Sequence, residues 1–408
     1  MRASAVAAAA CGTAAAMAQG PTIIELDLLP SPGLRGGEPR AINADGSVVV
    51  GWSHAGASTI SAVRWNAAGN VEALFDDGVR SLAFATNQDG RYAFGEFRTR
   101  DGQRAFRWSE GTGREDLGVD LPSRTRVAWD ASADGRVAVG DGGTGTNAWW
   151  WREGEGMETL DMPGWDNTTA KAVSADGTIV VGSGWRPGVD EKTHPYRWTQ
   201  AAGAEDLGVP EPWASAEIRA TSDDAGVIIG ELKDADGRSR TVYRWTEAGG
   251  YVELAVPDGL YDPFLFQLSD DGAIAVGEAV SLAAGSRRPI FWTEATGMVD
   301  LQAYLESTGV DLSGWDLIDA SAISGDGTAI AGKGNFEDRG SAFLITGLRL
   351  PGSCRVDLNG DGMATVFDFL AFQNLFEAGD PRADFDADGA LTILDFLAFR
   401  AAFDTGCA

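Results

Sequence analysis

Short runs of alternating apolar and polar residues, separated by glycine-rich turns, cover the chain from about residue 23 to residue 350. The clearest phrase is Ser174-Ala-Asp-Gly-Thr-Ile-Val-Val-Gly182. Related phrases surround six further aspartates, giving seven copies at Asp45, Asp89, Asp134, Asp176, Asp224, Asp271 and Asp326. Alternation with a period of two predicts half-buried β-strands, and Asp-Gly between apolar runs predicts a hairpin turn.

An aromatic run follows each of the first six aspartates and ends in a tryptophan, at Trp65, Trp108, Trp151, Trp198, Trp245 and Trp292. A third element comes next, as in Asp206-Leu207-Gly208, and an alternating run precedes each aspartate. Each unit of about 45 residues therefore predicts four short strands, which is typical of one blade of a β-propeller. We expect the six tryptophans to pack in the core between sheets.

The seventh copy is incomplete, because Phe343-Leu344 replaces the tryptophan and no further strand precedes Pro351. A suitable strand lies at the start of the chain, in Ile23–Leu28. We therefore predict an all-β, seven-bladed propeller over residues 19–350 that is closed by its N-terminal strand, which would remove open sheet edges. The one longer insertion, between Leu301 and Ile318, has a partly helical pattern.

The repeated phrase resembles the HAF-type extracellular propeller repeats, in which a Ser-x-Asp-Gly strand precedes an aromatic-Arg-Trp strand and then Asp-Leu-Gly. The resemblance covers about 330 residues. It implies the propeller architecture and an extracellular location, and it implies almost nothing about chemistry.

Two twelve-residue acidic loops lie near the C-terminus, at residues 357–368 and 384–395. Oxygen-bearing side chains recur at loop positions 1, 3, 5, 9 and 12, with Gly at position 6 and a backbone carbonyl available at position 7. This order of ligands is the one with which a loop surrounds Ca²⁺. The candidate calcium ligands are Asp357, Asn359, Asp361, Met363, Thr365, Asp368, Asp384, Asp386, Asp388, Ala390, Thr392 and Asp395.

An identical pentapeptide, Asp-Phe-Leu-Ala-Phe, closes each loop and begins a predicted helix. Phe369, Phe372 and Phe376 recur 27 residues later as Phe396, Phe399 and Phe403, so we expect the two helices to pack together. A duplicated loop and exit helix, without an entering helix and with Asp at position 12, resembles a dockerin. The resemblance implies a small α-helical domain over residues 351–408 that binds two Ca²⁺ ions and docks onto a cohesin-like or other surface receptor.

Loop positions 10 and 11 are usually small hydroxyl residues in dockerins, where they help to select the partner. Here they are Val366, Phe367, Ile393 and Leu394, which are therefore our candidates for partner docking.

Residues 1–18 have the features of an export signal, with Arg2, an alanine-rich stretch and Ala16-Met17-Ala18 before the predicted cleavage site. A lipoprotein signal that uses Cys11 is the alternative. After cleavage only Cys354 and Cys407 remain, and in an exported chain this pair predicts a disulfide around the calcium loops. Two free thiols are the other possibility. We expect an extracellular or cell-surface protein.

Acidic residues dominate the charge, with 32 Lys and Arg against 60 Asp and Glu and a net charge of −28. Such a field repels nucleic acid and anionic lipid, so we expect neither as a partner. No run after the export signal is apolar for long enough to span a bilayer.

Candidate catalytic groups are few. His54 and His194 are the only histidines, and we expect both in surface loops. Eight tryptophans lie outside the six repeat positions, where some could stack on carbohydrate. The favoured hypothesis is a non-catalytic propeller that binds a glycan or a protein. The alternative is a secreted propeller enzyme, a glycoside hydrolase or polysaccharide lyase, delivered by the same C-terminal domain.

Overall fold

The computed structural model describes residues 21–31, 35–56, 59–75, 77–118, 126–142, 147–190, 192–237, 240–351, 356, 358, 364–378, 383, 385 and 390–405. Antiparallel sheets of consecutive strands make up most of these residues. The first sheet contains β2 (Gly37–Ile42), β3 (Val48–His54), β4 (Ile60–Asn66) and β5 (Val71–Ala73). The second contains β6 (Ser81–Thr86), β7 (Tyr92–Thr99), β8 (Gly102–Ser109) and β9 (Gly113–Asp116). The third contains β10 (Val127–Ala131), β11 (Val137–Asp141), β12 (Trp149–Arg152) and β13 (Gly156–Thr159).

Two groups of four strands follow, and one parallel pair, Thr193 with Ser215, joins them into an eight-stranded sheet. The first group is β14 (Asp166–Val173), β15 (Ile179–Trp185), β16 (Thr193–Thr199) and β17 (Gly203–Asp206). The second group is β18 (Ser215–Thr221), β19 (Val227–Lys233), β20 (Arg240–Thr246) and β21 (Gly250–Glu253). The next sheet contains β22 (Leu260–Leu268), β23 (Ile274–Ser281), β24 (Arg287–Thr293) and β25 (Gly297–Asp300), and helix α1 (Leu301–Ser307) follows it.

The last sheet combines both ends of this region. It contains β26 (Trp315–Leu317), β27 (Ala322–Ile323), β28 (Ile330–Phe336), β29 (Arg339–Thr346) and β1 (Thr22–Leu26). Strand β1 pairs antiparallel with β29, with Thr22 opposite Thr346, so the predicted closure by the N-terminal strand is confirmed. The architecture is mostly β, with several four-stranded sheets, and matches a β-propeller.

The strand register corrects one detail of the repeat. Trp198 lies opposite Val180, four residues after Asp176, and Ile345 lies opposite Ile330, four residues after Asp326. The assignment of Phe343-Leu344 to the tryptophan position is therefore wrong, because Ile345 occupies it.

The predicted Asp-Gly hairpins form between the first and second strands of the sheets. Asp176 Oδ1 accepts hydrogen bonds from Ser174 Oγ at 2.6 Å and from the Thr178 amide at 2.9 Å, and Gly177 has a φ of +73°. In the fifth turn Ala225 adopts this left-handed conformation, with a φ of +52°. The predicted role of these aspartates as turn residues is thus confirmed.

Backbone hydrogen bonds link these turns into a closed ring. The residue before each of the first six turn aspartates donates its amide to the carbonyl of the corresponding residue in the next turn, at 2.8 to 3.1 Å. In order, these residues are Ala44, Gln88, Ala133, Ala175, Asp223, Asp270 and Gly325. The Asp326 amide then donates to the Ala44 carbonyl at 3.0 Å and completes the circle. The first strands of all the sheets therefore lie around one axis.

Apolar side chains fill the space between neighbouring sheets. All six repeat tryptophans are at most 8% exposed, so their predicted core position is confirmed. The predicted helical insertion is α1, whose Leu301 and Leu305 are buried against the last sheet together with Leu348 and Leu350.

Two helices form the described part of the C-terminal region, α2 (Val366–Ala378) and α3 (Ile393–Thr405). The rings of Phe372 and Phe399 stack with centroids 4.3 Å apart and planes 14° apart. Val356, Ala383 and Phe385 complete this small core. The prediction that the two helices pack through their repeated phenylalanines is confirmed.

Candidate functional site

A cavity of ≈ 400 Å³ lies on the axis of the ring, and the first strand of every sheet contributes to its wall. One end lies at the Asp-Gly turns, where Gln88, Asp223 and Asp270 line it. The other end lies five residues before the turn aspartate in each first strand, and we call this end the mouth. We call this cavity the central channel.

A β-bulge interrupts the first strand of six of the four-stranded units at the channel mouth. The register shifts fall at equivalent positions, five residues before the turn aspartate. The bulged residues are Arg40, Phe84, Trp129, Lys171, Arg219 and Phe266, and all six line the channel. Bulges redirect side chains and are common beside functional sites. We call these six residues the bulge ring.

A glycine on each second strand makes the bulge possible. A Cβ atom built on Gly182 would lie 1.9 Å from the carbonyl oxygen of Thr169, and one on Gly95 would lie 2.0 Å from that of Leu82. The same close approach recurs at Gly51, Gly140, Gly230, Gly277 and Gly332. The final glycine of the repeated phrase is therefore required because a carbonyl oxygen of the first strand approaches it closely.

Trp129 and Lys171 form one side of the mouth. The Lys171 Nζ atom lies 3.9 Å from the centroid of the Trp129 ring. Asp141 Oδ2 accepts a hydrogen bond from Trp129 Nε1 at 2.6 Å and lies 3.4 Å from Lys171 Nζ. Burial lowers the pKa of the Lys171 ammonium, although Asp141 opposes the shift.

Arg219 is held similarly on the other side, since its Nε donates to Glu231 Oε1 at 2.6 Å and its guanidinium lies 4.5 Å from the Phe264 centroid. Arg40 contacts Glu38 at 3.0 Å and lies 5.9 Å from the Phe84 centroid. Cation–π contacts and ion pairs therefore fix every cation of the bulge ring.

The floor of the channel is a hydrogen-bonded group that spans it. Gln88 Nε2 donates to Asp223 Oδ2 at 2.8 Å and contacts Asp270 Oδ2 at 3.4 Å. Around the backbone ring, Asp223 lies three Asp-Gly turns from Gln88 in one direction, and Asp270 lies three Asp-Gly turns from it in the other direction. The glutamine side chain therefore crosses the channel. We call Gln88, Asp223 and Asp270 the channel floor.

Asp130 lies between the floor and the mouth, where its Oδ2 accepts a hydrogen bond from the Val173 amide at 2.9 Å. Burial in the channel raises the pKa of the Asp130 carboxyl to about 7, and the nearby Asp270 adds to this effect. Burial, together with Asp270 and Asp130, also raises the pKa of Asp223 well above its usual range. The Asp130 carboxyl is therefore partly protonated near neutral pH.

The two histidines lie outside the residues that line the channel. The prediction of a surface loop is wrong for His194, which lies on β16 and is buried, with its Nδ1 2.9 Å from Asp206 and its Nε2 2.8 Å from Asp190. His54 is half-buried beside a separate cavity of ≈ 180 Å³ near Leu29 and Gly36.

In the C-terminal region the structure describes five of the candidate calcium ligands: Thr365, Asp368, Ala390, Thr392 and Asp395. Asp368 and Asp395 are completely buried at the helix starts. The Thr365 amide donates to Asp368 Oδ2 at 2.8 Å, and the Thr392 amide donates to Asp395 Oδ2 at 2.7 Å. The two loops thus present equivalent buried carboxylates, which suit a hard cation.

The remaining candidate ligands fall outside the described residues: Asp357, Asn359, Asp361, Met363, Asp384, Asp386 and Asp388. Cys354, Cys407 and the predicted export signal at residues 1–18 also lie outside them. In the part of the chain that is described, no group of three or more His, Cys, Asp or Glu is arranged to hold a metal ion. Among the described helices, none is long and apolar enough to cross a bilayer.

The four candidate docking residues are exposed. Val366, Phe367, Ile393 and Leu394 have between 54% and 67% of their surface accessible. Leu370 and Leu397, one turn later on each helix, are also exposed and extend the same apolar face. The sequence signal for these two was the repeat itself, since each follows the shared Asp-Phe pair.

The bulge ring was not predicted, although the sequence contains a signal for it. Five residues before the turn aspartate, six of the seven copies carry a large aromatic or cationic residue, and in several copies alanine flanks it. The channel floor has no comparable signal, because alanine or glycine stands at its position in the other four copies.

Comparison with known proteins gives the fold. No family model and no curated protein matches the chain. An oligogalacturonate lyase from Vibrio parahaemolyticus is similar in structure, with a TM-score of 0.53 and 10% identity over 80% of this chain and 98% of that chain. An oligogalacturonate lyase in complex with manganese has a TM-score of 0.52 and 10% identity over 80% of this chain and 91% of that one.

A third similar structure is the β-propeller domain of the Trilobed protease from Pyrococcus furiosus. Its TM-score is 0.52, with 11% identity over 76% of this chain and 95% of that chain. At such low identity these similarities concern architecture and not activity. The greater part of the chain has the fold of a β-propeller.

Proposed function

We propose that the chain is an exported, seven-bladed β-propeller that binds a neutral glycan at the mouth of its central channel. The observation that carries this proposal is the bulge ring, in which six four-stranded units each direct a large cationic or aromatic side chain into one cavity. Cavities with aromatic walls and a few fixed polar groups are typical ligand sites. Aromatic rings offer apolar faces to a sugar, and fixed charged groups exchange hydrogen bonds with its hydroxyls.

The pairing of the charges favours a neutral ligand. Arg40, Lys171 and Arg219 each already contact a carboxylate, namely Glu38, Asp141 and Glu231. An anionic polymer would have to compete with these carboxylates and approach a chain with a net charge of −28. A hydroxyl can accept from the cation and donate to the carboxylate of the same pair.

The C-terminal region supplies attachment in this proposal. The two acidic loops bind two Ca²⁺ ions, and the buried Asp368 and Asp395 support this assignment. The exposed apolar residues at the start of α2 and α3 then form the surface that docks onto a cohesin-like or other receptor. The protein is exported by residues 1–18 and is held at the cell surface or on an extracellular scaffold. A disulfide between Cys354 and Cys407 encloses the loops.

Cleavage of a polysaccharide is the second candidate function. Asp130 favours it, because a carboxyl group with a pKa of about 7 inside the channel can donate a proton at neutral pH. Two proteins of similar structure are also oligogalacturonate lyases by name.

A glycan panel separates these functions. The full-length protein is incubated with neutral polysaccharides and with uronate polymers, and both retained protein and newly formed reducing ends are measured. We expect retention by a neutral polysaccharide without new reducing ends. Released oligosaccharides would favour cleavage, and a lack of retention by every glycan would overturn both functions.

A further inference from the structure

The channel floor closes one end of the central channel. Gln88 Nε2 is joined to Asp223 Oδ2 at 2.8 Å, and these two residues lie on opposite sides of the backbone ring. Asp270, on the neighbouring turn, receives the second contact from the same nitrogen. A side chain that lies across the axis leaves no straight passage through the channel.

Gly325 allows the floor to pack tightly. A Cβ atom at this position would lie 2.1 Å from Asp270 Oδ2, so only glycine leaves room for the Asp270 carboxyl. The bulge ring lines the other end of the cavity, away from the channel floor. The cavity volume of ≈ 400 Å³ lies within the roughly 300 to 1,000 Å³ of small-ligand pockets.

The walls and the floor differ in chemistry. The bulge ring offers aromatic faces and paired ions, whereas the floor offers one amide and two carboxyl groups. Thr86 and Thr221 line the channel near its floor. Both donate their hydroxyl protons to backbone carbonyls, at 2.8 and 2.9 Å. Their oxygens keep a lone pair for a donor, so the lower channel suits a compact group with several hydroxyls.

We propose that the channel recognises the end of a neutral glycan chain, with the terminal sugar seated between the bulge ring and the channel floor. This inference rests on the proposed glycan binding and specifies which part of the glycan is bound. Because the Gln88 side chain lies across the channel at its floor, a glycan chain cannot thread through it. A polymer therefore enters the channel only by its end. The next sugars then meet Trp129, Phe84 and Phe266 at the mouth.

Binding along the length of a polymer would need other surfaces. Trp185 and Tyr261 are 39% and 47% exposed, and neither lines the channel. A glycan that lies across the propeller face would depend on exposed aromatic residues such as these, and not on the channel floor.

The test measures protein bound per glycan chain. Unbranched β-1,3-glucan, β-1,4-xylan and α-1,4-glucan are each prepared as a short pool and a much longer pool, and the full chain is titrated against them by light scattering and calorimetry. End recognition predicts the same number of proteins per chain in both pools of the glycan that binds. A number that grows with chain length would overturn end recognition and leave glycan binding intact. Failure to bind any pool would overturn both.

Two variants add an independent readout. Gln88→Ala removes the amide of the floor, and we expect about ten-fold weaker binding of the short pool, as is common when a buried hydrogen-bonding partner is lost. Gln373→Ala changes an exposed glutamine on α2 and should leave binding unchanged. Equal affinity of Gln88→Ala and the wild type would contradict a terminal sugar at the floor.

Discussion

The Lys171 ammonium lies 3.9 Å from the centroid of the Trp129 ring, and both side chains contact the same oxygen, Oδ2 of Asp141. The two residues project from bulges of neighbouring sheets, so one carboxylate fixes two members of the bulge ring. Side chains that are held in place before a ligand arrives lose little entropy on binding. This pair is therefore the part of the mouth on which we expect affinity to depend most.

The glycine behind each bulge should be intolerant of substitution. In Gly95→Ala the new methyl group would meet the Leu82 carbonyl oxygen at 2.0 Å, so the bulge that carries Phe84 would have to move. We expect a loss of about 2 to 3 kcal/mol in the free energy of unfolding, measured by chemical denaturation. Gly111→Ala is the matched control, because nothing lies within 4 Å of its Cβ position. Equal stability of the two variants would contradict this explanation of the repeat.

Asp130 should make stability fall as pH rises. Its carboxyl has a pKa of about 7 in the folded chain and 3.8 as an ordinary aspartate, so between these values the folded state binds more protons than the unfolded state. Its contribution to the free energy of unfolding therefore decreases from about pH 4 to about pH 7. Asp130→Asn removes this pH-dependent loss of stability, because asparagine does not titrate. Its side-chain oxygen can still accept the hydrogen bond from the Val173 amide.

The measurement is denaturant unfolding of Asp130→Asn and of the wild type across this pH range. We expect the variant to gain about 1 to 3 kcal/mol relative to the wild type between acidic and neutral pH. Asp101→Asn, at an exposed hairpin, serves as the control. A stability difference that does not change with pH would show that the channel does not perturb Asp130.

The packed phenylalanines should hold the C-terminal helices together. Phe399 is completely buried and stacks on Phe372, so Phe399→Ala should cost about 3 to 5 kcal/mol and expose the amides of α2 and α3. Phe367 is 64% exposed, and Phe367→Ala should change stability by less than about 0.5 kcal/mol. Hydrogen exchange of the full chain in excess Ca²⁺ measures both, and similar protection in the two variants would refute the role of the stack.

Calcium binding is expected at two sites of the C-terminal region. Calorimetric titration of the full chain should show both, and Asp368→Ala and Asp395→Ala should each remove one, because each takes away the carboxylate at loop position 12. Glu377→Ala changes an exposed acid of α2 and should leave both sites intact. Unchanged binding heat in the Asp368→Ala, Asp395→Ala double variant would rule out these loops as calcium sites.

Much of the fold could be predicted because burial of one strand face imposes a period of two on the sequence. The pairing of β1 with β29 also followed, since an incomplete last unit and a spare first strand complement each other. The bulge ring could not be assigned in this way. Arg40 and Lys171 resemble surface residues, and Trp129 resembles a core residue, until the bulge that redirects them is known.

The channel floor was even less accessible to prediction. Gln88 is separated by 135 residues from Asp223 and by 182 residues from Asp270, and the three meet only because the ring closes. No local propensity or periodicity encodes such a contact. In contrast, the acidic loops of the C-terminal region are local patterns, so Asp368 and Asp395 could be named as candidate ligands from spacing alone.

The most direct test of glycan binding at the bulge ring is calorimetry with the neutral glycan that the panel selects. Trp129→Ala removes an aromatic wall of the mouth, whereas Trp185→Ala removes an exposed indole outside the channel. We predict about ten-fold weaker binding for Trp129→Ala, with both variants as well folded as the wild type, and no change for Trp185→Ala. Equal affinity of Trp129→Ala and the wild type, or a loss confined to Trp185→Ala, would contradict the assignment of the site to the channel mouth.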